Sequence, residues 1–487
     1  MKGAASAADN TRRMKRDNRA YRSRRGSRAR APLLAALVAS IAAASAAQAA
    51  SAPPPLPGDR PIERIPESAD LRAKYWNGFF AAPLGALASR SPSVVSNDQG
   101  SFRLSYERDG AYHYAVIAAV APGSPAGREP PLYAQGTWIL KRSPYDGAPL
   151  QAKVFLRGDP GTFLRIYPDG DRSAMDVVVY GGVLNEKVPL PVPFERAFTS
   201  TLSDIAAWSR DVVEWGLFSP KPGLYRDVRS FAETTRSRLG GLRYAYDGAL
   251  DSSGAPVLIA TGERQIGETG LNCSGFAKWV VDGFYGPLAG RLLDPLAMAR
   301  KRLDERVTDA AGPYEADLDP FFGLDWTRNL AVALLDARYP SRKHAIEEVD
   351  VRISPFAMIA GKGGLGTPAA VNGSVSYSPY AAYQDGLGYR ADGLKALLYV
   401  LALREPGNVY LASVSRKSGG AIPGLSRHYH VAVLAPYFEE SGEFKVAAFE
   451  SDVETSVERI MARLPKDYVH LVRLKADRAY DPPSLPD

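Results

Sequence analysis

The 487-residue chain has one cysteine, Cys273, and only five histidines and six methionines. A single cysteine cannot close an internal disulfide, so the fold must rest on an apolar core. No cluster has zinc-ligand spacing, so neither metal nor cofactor is expected. Long apolar runs are also missing. The clearest, Pro32–Ala47 (PLLAALVASIAAASAA), falls short of the ~20 residues of a membrane-spanning helix. A dinucleotide site lacks its context: Gly361–Gly366 fits GxGxxG by letter, but TPAAVNGSVSYSPY follows it and is not helical. That stretch reads as a loop, and the acidic YEADLDPFFGLD, without EF-hand spacing, reads as a solvated one.

The charge that is present is unevenly placed. Residues 1–30 carry nine Arg and two Lys against Asp9 and Asp17. A basic lead, the short apolar run and the small-x-small end Ala47-Gln48-Ala49 together read as a secretory signal peptide over 1–49. Without those residues 49 of the 60 basic and 51 of the 53 acidic side chains remain, and the net charge falls from +7 to −2. The basic pI belongs to the leader, and a nucleic-acid role loses its electrostatic support. The expected location is periplasmic or secreted, with no stable membrane span after signal removal.

Punctuation and periodicity divide the remainder. Residues 50–98 open proline-rich and read as a lead-in. Over 99–195, short alternating runs such as YHYAVIAAVA, QAKVFLR and MDVVVYGG are separated by SPYDGAP, RGDPG and PDGDRS, which indicates a small all-β domain of antiparallel strands. Its aromatics Tyr112, Tyr114, Trp138 and Tyr167 suit either a glycan-binding face or a core. Residues 196–240 place apolar groups at three- and four-residue spacing and read as a helical bridge. From 241 to 476 helices come first and strand-like runs afterwards, an α+β domain with its site at the helix–sheet seam, and 477–487 form a tail.

Asn272-Cys273-Ser274-Gly275 stands where a loop turns into the helix CSGFAKWVVDGF. A thiolate is the working form of cysteine, and a helix N-terminus favours it through its partial positive charge and unpaired N–H groups. Small neighbours such as Ser274 let a substrate carbonyl approach, so Cys273 is the candidate nucleophile. Of the histidines, His113 lies in the β-region, His344 in a charged segment and His470 in a late strand. His428 and His430, two apart in a strand-like run, can share one face, and either can serve as base, the other then lining the substrate cleft. Glu450, in the next strand-like run, is the candidate to orient the imidazole.

In these pieces the sequence resembles the NlpC-type cell-wall cysteine peptidases, which have a papain-like fold. Gly241-Leu242-Arg243-Tyr244-Ala245-Tyr246-Asp247-Gly248 is similar to the family's opening segment, and Asn272-Cys273-Ser274-Gly275 to its Asp-Cys-Ser-Gly. Pro406-Gly407-Asn408 and His430-Val431-Ala432-Val433 follow in the family's order, and Glu450 takes the place of its third polar residue. The resemblance implies His430 as base and Tyr244 beside the thiol. It also implies an NlpC-type catalytic domain over 241–476 that cleaves peptidoglycan stem peptides or another cell-envelope substrate. The 156 residues between Cys273 and His430 exceed the family's spacing, so a large insertion is expected over about 285–395. The alternatives are an amidase or acyltransferase acting on another envelope substrate, and an inactive envelope-binding protein.

Overall fold

The structure, a computed structural model, describes residues 59–110, 112–121, 130–302, 319–356, 369–371, 374–376, 383–417 and 426–485. The expected signal peptide and the Gly361–Gly366 loop lie outside the described residues. All of these described segments fall within one compact unit, Leu56–Asp487. Its architecture is mixed α and β with two large antiparallel sheets, compatible with the expected α+β class.

Residues 59–98, within the span read as a lead-in, are built into the fold. They contain helices α1 (Ala69–Lys74) and α2 (Leu84–Ala88) and bury Leu71, Phe79, Phe80 and Leu87. The first sheet is an eight-stranded meander in sequence order: β1 (Ser93–Asn97), β2 (Gly100–Asp109), β3 (Tyr112–Ala119), β4 (Trp138–Arg142), β5 (Pro149–Phe155), β6 (Phe163–Asp169), β7 (Arg172–Val179) and β8 (Gly182–Leu190). Its strands alternate, so Phe102, Ile117, Trp138, Val154 and Ile166 enter the main core on one face. Helix α3 (Phe194–Phe198) packs on β6 and β7, and Phe198 meets the Trp138 ring edge-on at 5.5 Å. Trp138 is therefore a core residue, and Arg72 covers its other side at 3.9 Å.

Helices α4 (Leu202–Ser209) and α5 (Arg226–Arg238) lead to a short hairpin, β9 (Gly248–Leu250) with β10 (Pro256–Leu258). Helix α6 (Cys273–Ala289) follows, then α7 (Pro295–Met298) and α8 (Phe322–Arg338). The small pair β11 (Ala369–Val371) and β12 (Ser374–Ser376) precedes β13 (Tyr389–Arg390) and helix α9 (Leu394–Arg404). The remaining elements are β14 (Asn408–Lys417), β15 (Ser426–Phe438), β16 (Phe444–Glu450), β17 (Val453–Thr455), α10 (Val457–Arg463) and β18 (Tyr468–Lys475). The second sheet runs in the order β13-β18-β14-β15-β16-β17, which puts β15 well inside it. One apolar core is continuous from the meander through α6 and α8 to this sheet.

Two features of this half set the site. Helix α8 lies inside the span expected as an insertion, yet it packs on α6, β14, β15 and β18, with Trp326, Leu330 and Leu334 buried. Its Trp326 indole donates to the carbonyl of Ser274 at 3.0 Å, tying it to the first turn of α6. Helix α6 starts because Asn272 caps it, accepting from the Gly275 N–H at 2.8 Å, and stops at Gly290, whose φ of 69° suits glycine.

That first turn is pressed against the hairpin. A Cβ added to Gly275 would lie 1.9 Å from the carbonyl oxygen of Gly248, an impossible contact. Gly275→Ala must therefore push the turn that carries Cys273 away from the hairpin. The expected cost is about 1–3 kcal/mol in urea unfolding, together with slower alkylation of Cys273 in the still-folded protein. An unchanged midpoint with unchanged thiol reactivity would contradict the close approach.

Candidate active site

The loop before Cys273 is fixed by backbone bonds to the Gly241–Gly248 segment. Leu271 N–H donates to Arg243 at 2.8 Å, Ala245 N–H returns a bond to Leu271 at 3.3 Å, and Asn272 N–H donates to Gly248 at 3.1 Å. Gln265 pins the same loop, bonding Gly270 through both ends of its amide at 2.8 and 3.0 Å. Tyr244 sits in this clamp as a parallel bridge partner of Leu271, with 41% of its surface exposed. Its backbone thus runs beside the approach to the thiol.

Strand β15 delivers the histidines. Ser415 pairs with His428 and Val414 with His430, so a bulge falls at Tyr429. Cys273 and His430 are joined side chain to side chain, and the other end of the imidazole, Nε2, bonds Glu450 Oε1 at 2.7 Å. With Nε2 engaged, Nδ1 is the nitrogen left for the thiol. Val433 pairs with Phe449, so Glu450 comes next along β16 and lies diagonally across from His430. The same Glu450 oxygen also accepts from the Arg463 guanidinium on α10. Sequence reasoning missed Arg463, since nothing local in the sequence links it to the site.

The electrostatics form a chain of alternating charge. Burial pushes the Cys273 thiol up, but the hydrogen bond and positive charge of His430, the Val431 N–H and the Ser274 hydroxyl more than offset it. The net shift is below the ordinary thiol value. For His430 burial opposes the cation, while the Cys273 thiolate and then Glu450 raise it well above the usual imidazole range. Burial raises Glu450, and His430 and Arg463 together bring it below the usual carboxylate value. Each direction favours a thiolate–imidazolium pair over the neutral couple.

At the helix start, Asn272 takes the Gly275 N–H with its side chain and the Phe276 N–H with its carbonyl, at 2.8 Å each. Among the described residues, this leaves the N–H groups of Cys273 and Ser274 as the open donors of the turn, a pair of the kind that can hold an oxyanion. Ser274 itself is buried.

His428 has a different fate. It is buried, its Nδ1 bonds Ser413 Oγ at 2.9 Å and its Nε2 bonds the Gly386 carbonyl at 3.0 Å. A carbonyl only accepts, so Nε2 carries the proton and Nδ1 accepts from the serine hydroxyl. Burial drives its pKa down to about 3, and it is neutral. Both nitrogens are occupied within the protein, so His428 offers none to a substrate in this structure. Instead it anchors the turn at Gly386, within the expected insertion, to the sheet beside the site. His470 is buried beside Asp350 and Arg328, and His344 bonds Asp336. Among the described residues, no group of His, Cys, Asp and Glu could hold a metal ion.

A model for a domain of unknown function, DUF8515, matches residues 61–217. The match spans α1 through α4, ends within the residues read as the bridge, and contains the whole meander; Cys273, His430, Glu450 and Arg463 lie beyond it. No curated protein and no solved structure shows significant similarity to the chain.

Two substitutions should move the ion pair in opposite directions. Glu450→Gln removes an anion from His430, so the imidazolium should deprotonate at lower pH and the thiolate–imidazolium window should shrink from its alkaline side. Arg463→Gln removes the cation that shares Glu450, so the same edge should move to higher pH. Thiolate absorbance and alkylation rate followed across pH read both effects. Shifts of the same sign would show that Arg463 merely supports the local structure.

Proposed function

We propose that this chain is an exported cysteine hydrolase that cleaves amide bonds, with peptidoglycan stem peptides as its substrate. The observation that carries the chemistry is His430, bonded on one side to the helix-start thiol of Cys273 and on the other to the carboxylate of Glu450. That is the order of nucleophile, base and orienting group required for acyl transfer. The resemblance of the Gly241–Gly248, Asn272–Gly275 and His430–Val433 segments to NlpC-type peptidases supports the papain-like reading and supplies the substrate class.

In the proposed reaction His430 holds the thiol proton as imidazolium, and the Cys273 thiolate attacks the amide carbonyl. The tetrahedral oxyanion sits against the N–H groups of Cys273 and Ser274. His430 then gives its proton to the leaving amine, the C–N bond breaks, and a thioester remains on Cys273. Water, giving a proton to His430, attacks that thioester. The acid leaves, the thiol regains its proton, and Glu450 holds the imidazole in one orientation throughout.

Digestion of purified cell wall, read as release of soluble peptide, tests the reading. Wild-type protein should digest, Cys273→Ala and His430→Ala should lose at least about a thousandfold in rate, and Glu450→Gln should fall between them. His428→Asn should retain activity within about an order of magnitude, because its role is to hold a turn. No release by wild type, alongside a fast-alkylating Cys273, would keep the thiol chemistry and reject the substrate. Loss with His428→Asn but not His430→Ala would reject the base assignment.

A further inference from the structure

The face of the meander turned away from the main core is not an ordinary solvated surface. Phe155, Phe163, Val178 and Val183 on it are buried as a separate apolar cluster, and among the described residues Ile139 packs against them. Cross-strand pairing sets a row of polar side chains directly beside that cluster: Ile139 opposite Lys153, Lys153 opposite Arg165, and Arg165 opposite Asp176. One step along, Lys141 pairs with both Tyr114 and Gln151. Tyr167 and Tyr112 lie on the same face by alternation.

Cations outnumber acids along this row, while Glu107 and Asp109 stand opposite Tyr114 and Tyr112 at its margin. Asp176 is fully buried and already saturated: the Arg165 guanidinium bonds its Oδ2, with Nε at 2.7 Å, and the Tyr167 hydroxyl and Lys187 N–H bond its Oδ1 at 3.2 and 2.9 Å. Lys153 stands next to this pair with its ammonium 4.1 Å from the Phe163 ring centroid and no acid in ion-pair range among the described residues. Lys141 adds a second cation, lying 3.5 Å over the Tyr112 ring, with Asp109 its nearest acid influence. Burial, with Arg165 and Lys141 nearby, lowers the Lys153 pKa to about 8. A half-buried lysine beside two other cations is costly for stability alone.

We propose that this face of the meander, centred on Lys153 and Lys141 and flanked by Tyr112, Tyr114 and Tyr167, docks a carboxylate-bearing glycan strand of the cell wall. The occupant rests on the substrate reading above. The docking itself rests on charge complementarity: ligand carboxylates supply the anion that Lys153 lacks among the described residues and add to Asp109 at Lys141, and sugar rings lie on the partly exposed tyrosines. This assigns a binding role to the region that matches the domain of unknown function. It also separates holding the polymer from cutting it.

Co-sedimentation of the full chain with purified, undigested sacculi tests this, using Cys273→Ala throughout so that no cleavage intervenes. Binding is expected, weakened by added salt and abolished when the sacculus carboxyl groups are amidated. Lys153→Met keeps the apolar stem and removes the uncompensated charge. It should weaken binding about tenfold or more while leaving the thermal midpoint equal or higher. Lys153→Arg should restore binding. Undiminished binding by Lys153→Met, or equal binding to amidated sacculi, would overturn the proposal. So would preferential binding to phosphatidylglycerol vesicles, which would make a lipid surface the occupant. Failure of wild type to digest cell wall would leave these binding results standing, so the two readings can fail separately.

Discussion

The candidate site depends on how closely the first turn of α6 lies against the backbone at Gly248. Asn272 N–H bonds the Gly248 carbonyl, and Gly275 packs so tightly on the same oxygen that no side chain fits. This contact places Cys273 at a helix N-terminus, where two N–H groups stay open, and also beside β15, where His430 is. From the other side Trp326 of α8 holds the carbonyl of Ser274, so the turn is clamped between a hairpin and a helix. A nucleophile held this way loses little freedom when substrate arrives, which is the condition for an oriented attack.

Charge compensation separates the two polar rows of the molecule. At the site, thiolate, imidazolium, carboxylate and guanidinium alternate from Cys273 through His430 and Glu450 to Arg463, and their sum is zero. Half-buried charges are tolerable in that order because each has an opposite neighbour. Arg463 also limits what Glu450 does: with the cation on the same oxygen, the carboxylate orients His430 without the full basicity of an isolated acid. On the meander the row from Lys141 through Lys153 and Arg165 to Asp176 does not close, and the surplus is positive. The first row closes on itself, and the second keeps a positive surplus.

Much of the site was legible because its signals are local. Cys273 stands out as the sole thiol, and Asn272 before a run of apolar residues announces a helix start. Adjacent strand-like runs allowed Glu450 to lie beside His430, and the family resemblance chose that pair; the register of β15 with β16 brings them together. What could not be read were consequences of long-range pairing. The choice between His428 and His430 is made by Ser413 and Gly386, residues far apart in sequence that meet only in the folded sheet. Arg463 reaches Glu450 from a helix beyond β17. Helix α8 was hidden inside an apparent insertion, because spacing measures distance along the chain and not whether the intervening residues are core. Trp138 was ambiguous between surface and core because strand alternation shows that two faces exist but not which one the helices cover.

The contrast between His428 and His430 shows why proximity in sequence says little about proton chemistry. The two side chains stand on one strand, on either side of a bulge, yet burial acts on them with opposite results. Around His428 the bonded partners are a hydroxyl and a carbonyl, with the charges of Arg328 and His470 further off, so the Gly386 carbonyl offsets only part of the desolvation of a cation. Around His430 a thiolate and a carboxylate repay it and more. A bulge at Tyr429 lies between the two pairings, and the Tyr429 hydroxyl is tied to Asp467 at 2.7 Å. The strand can therefore turn one imidazole toward the thiol while the other stays within the wall. With only one of the two able to take a second proton near neutral pH, the thiol of Cys273 has a single proton-exchange partner among these two histidines.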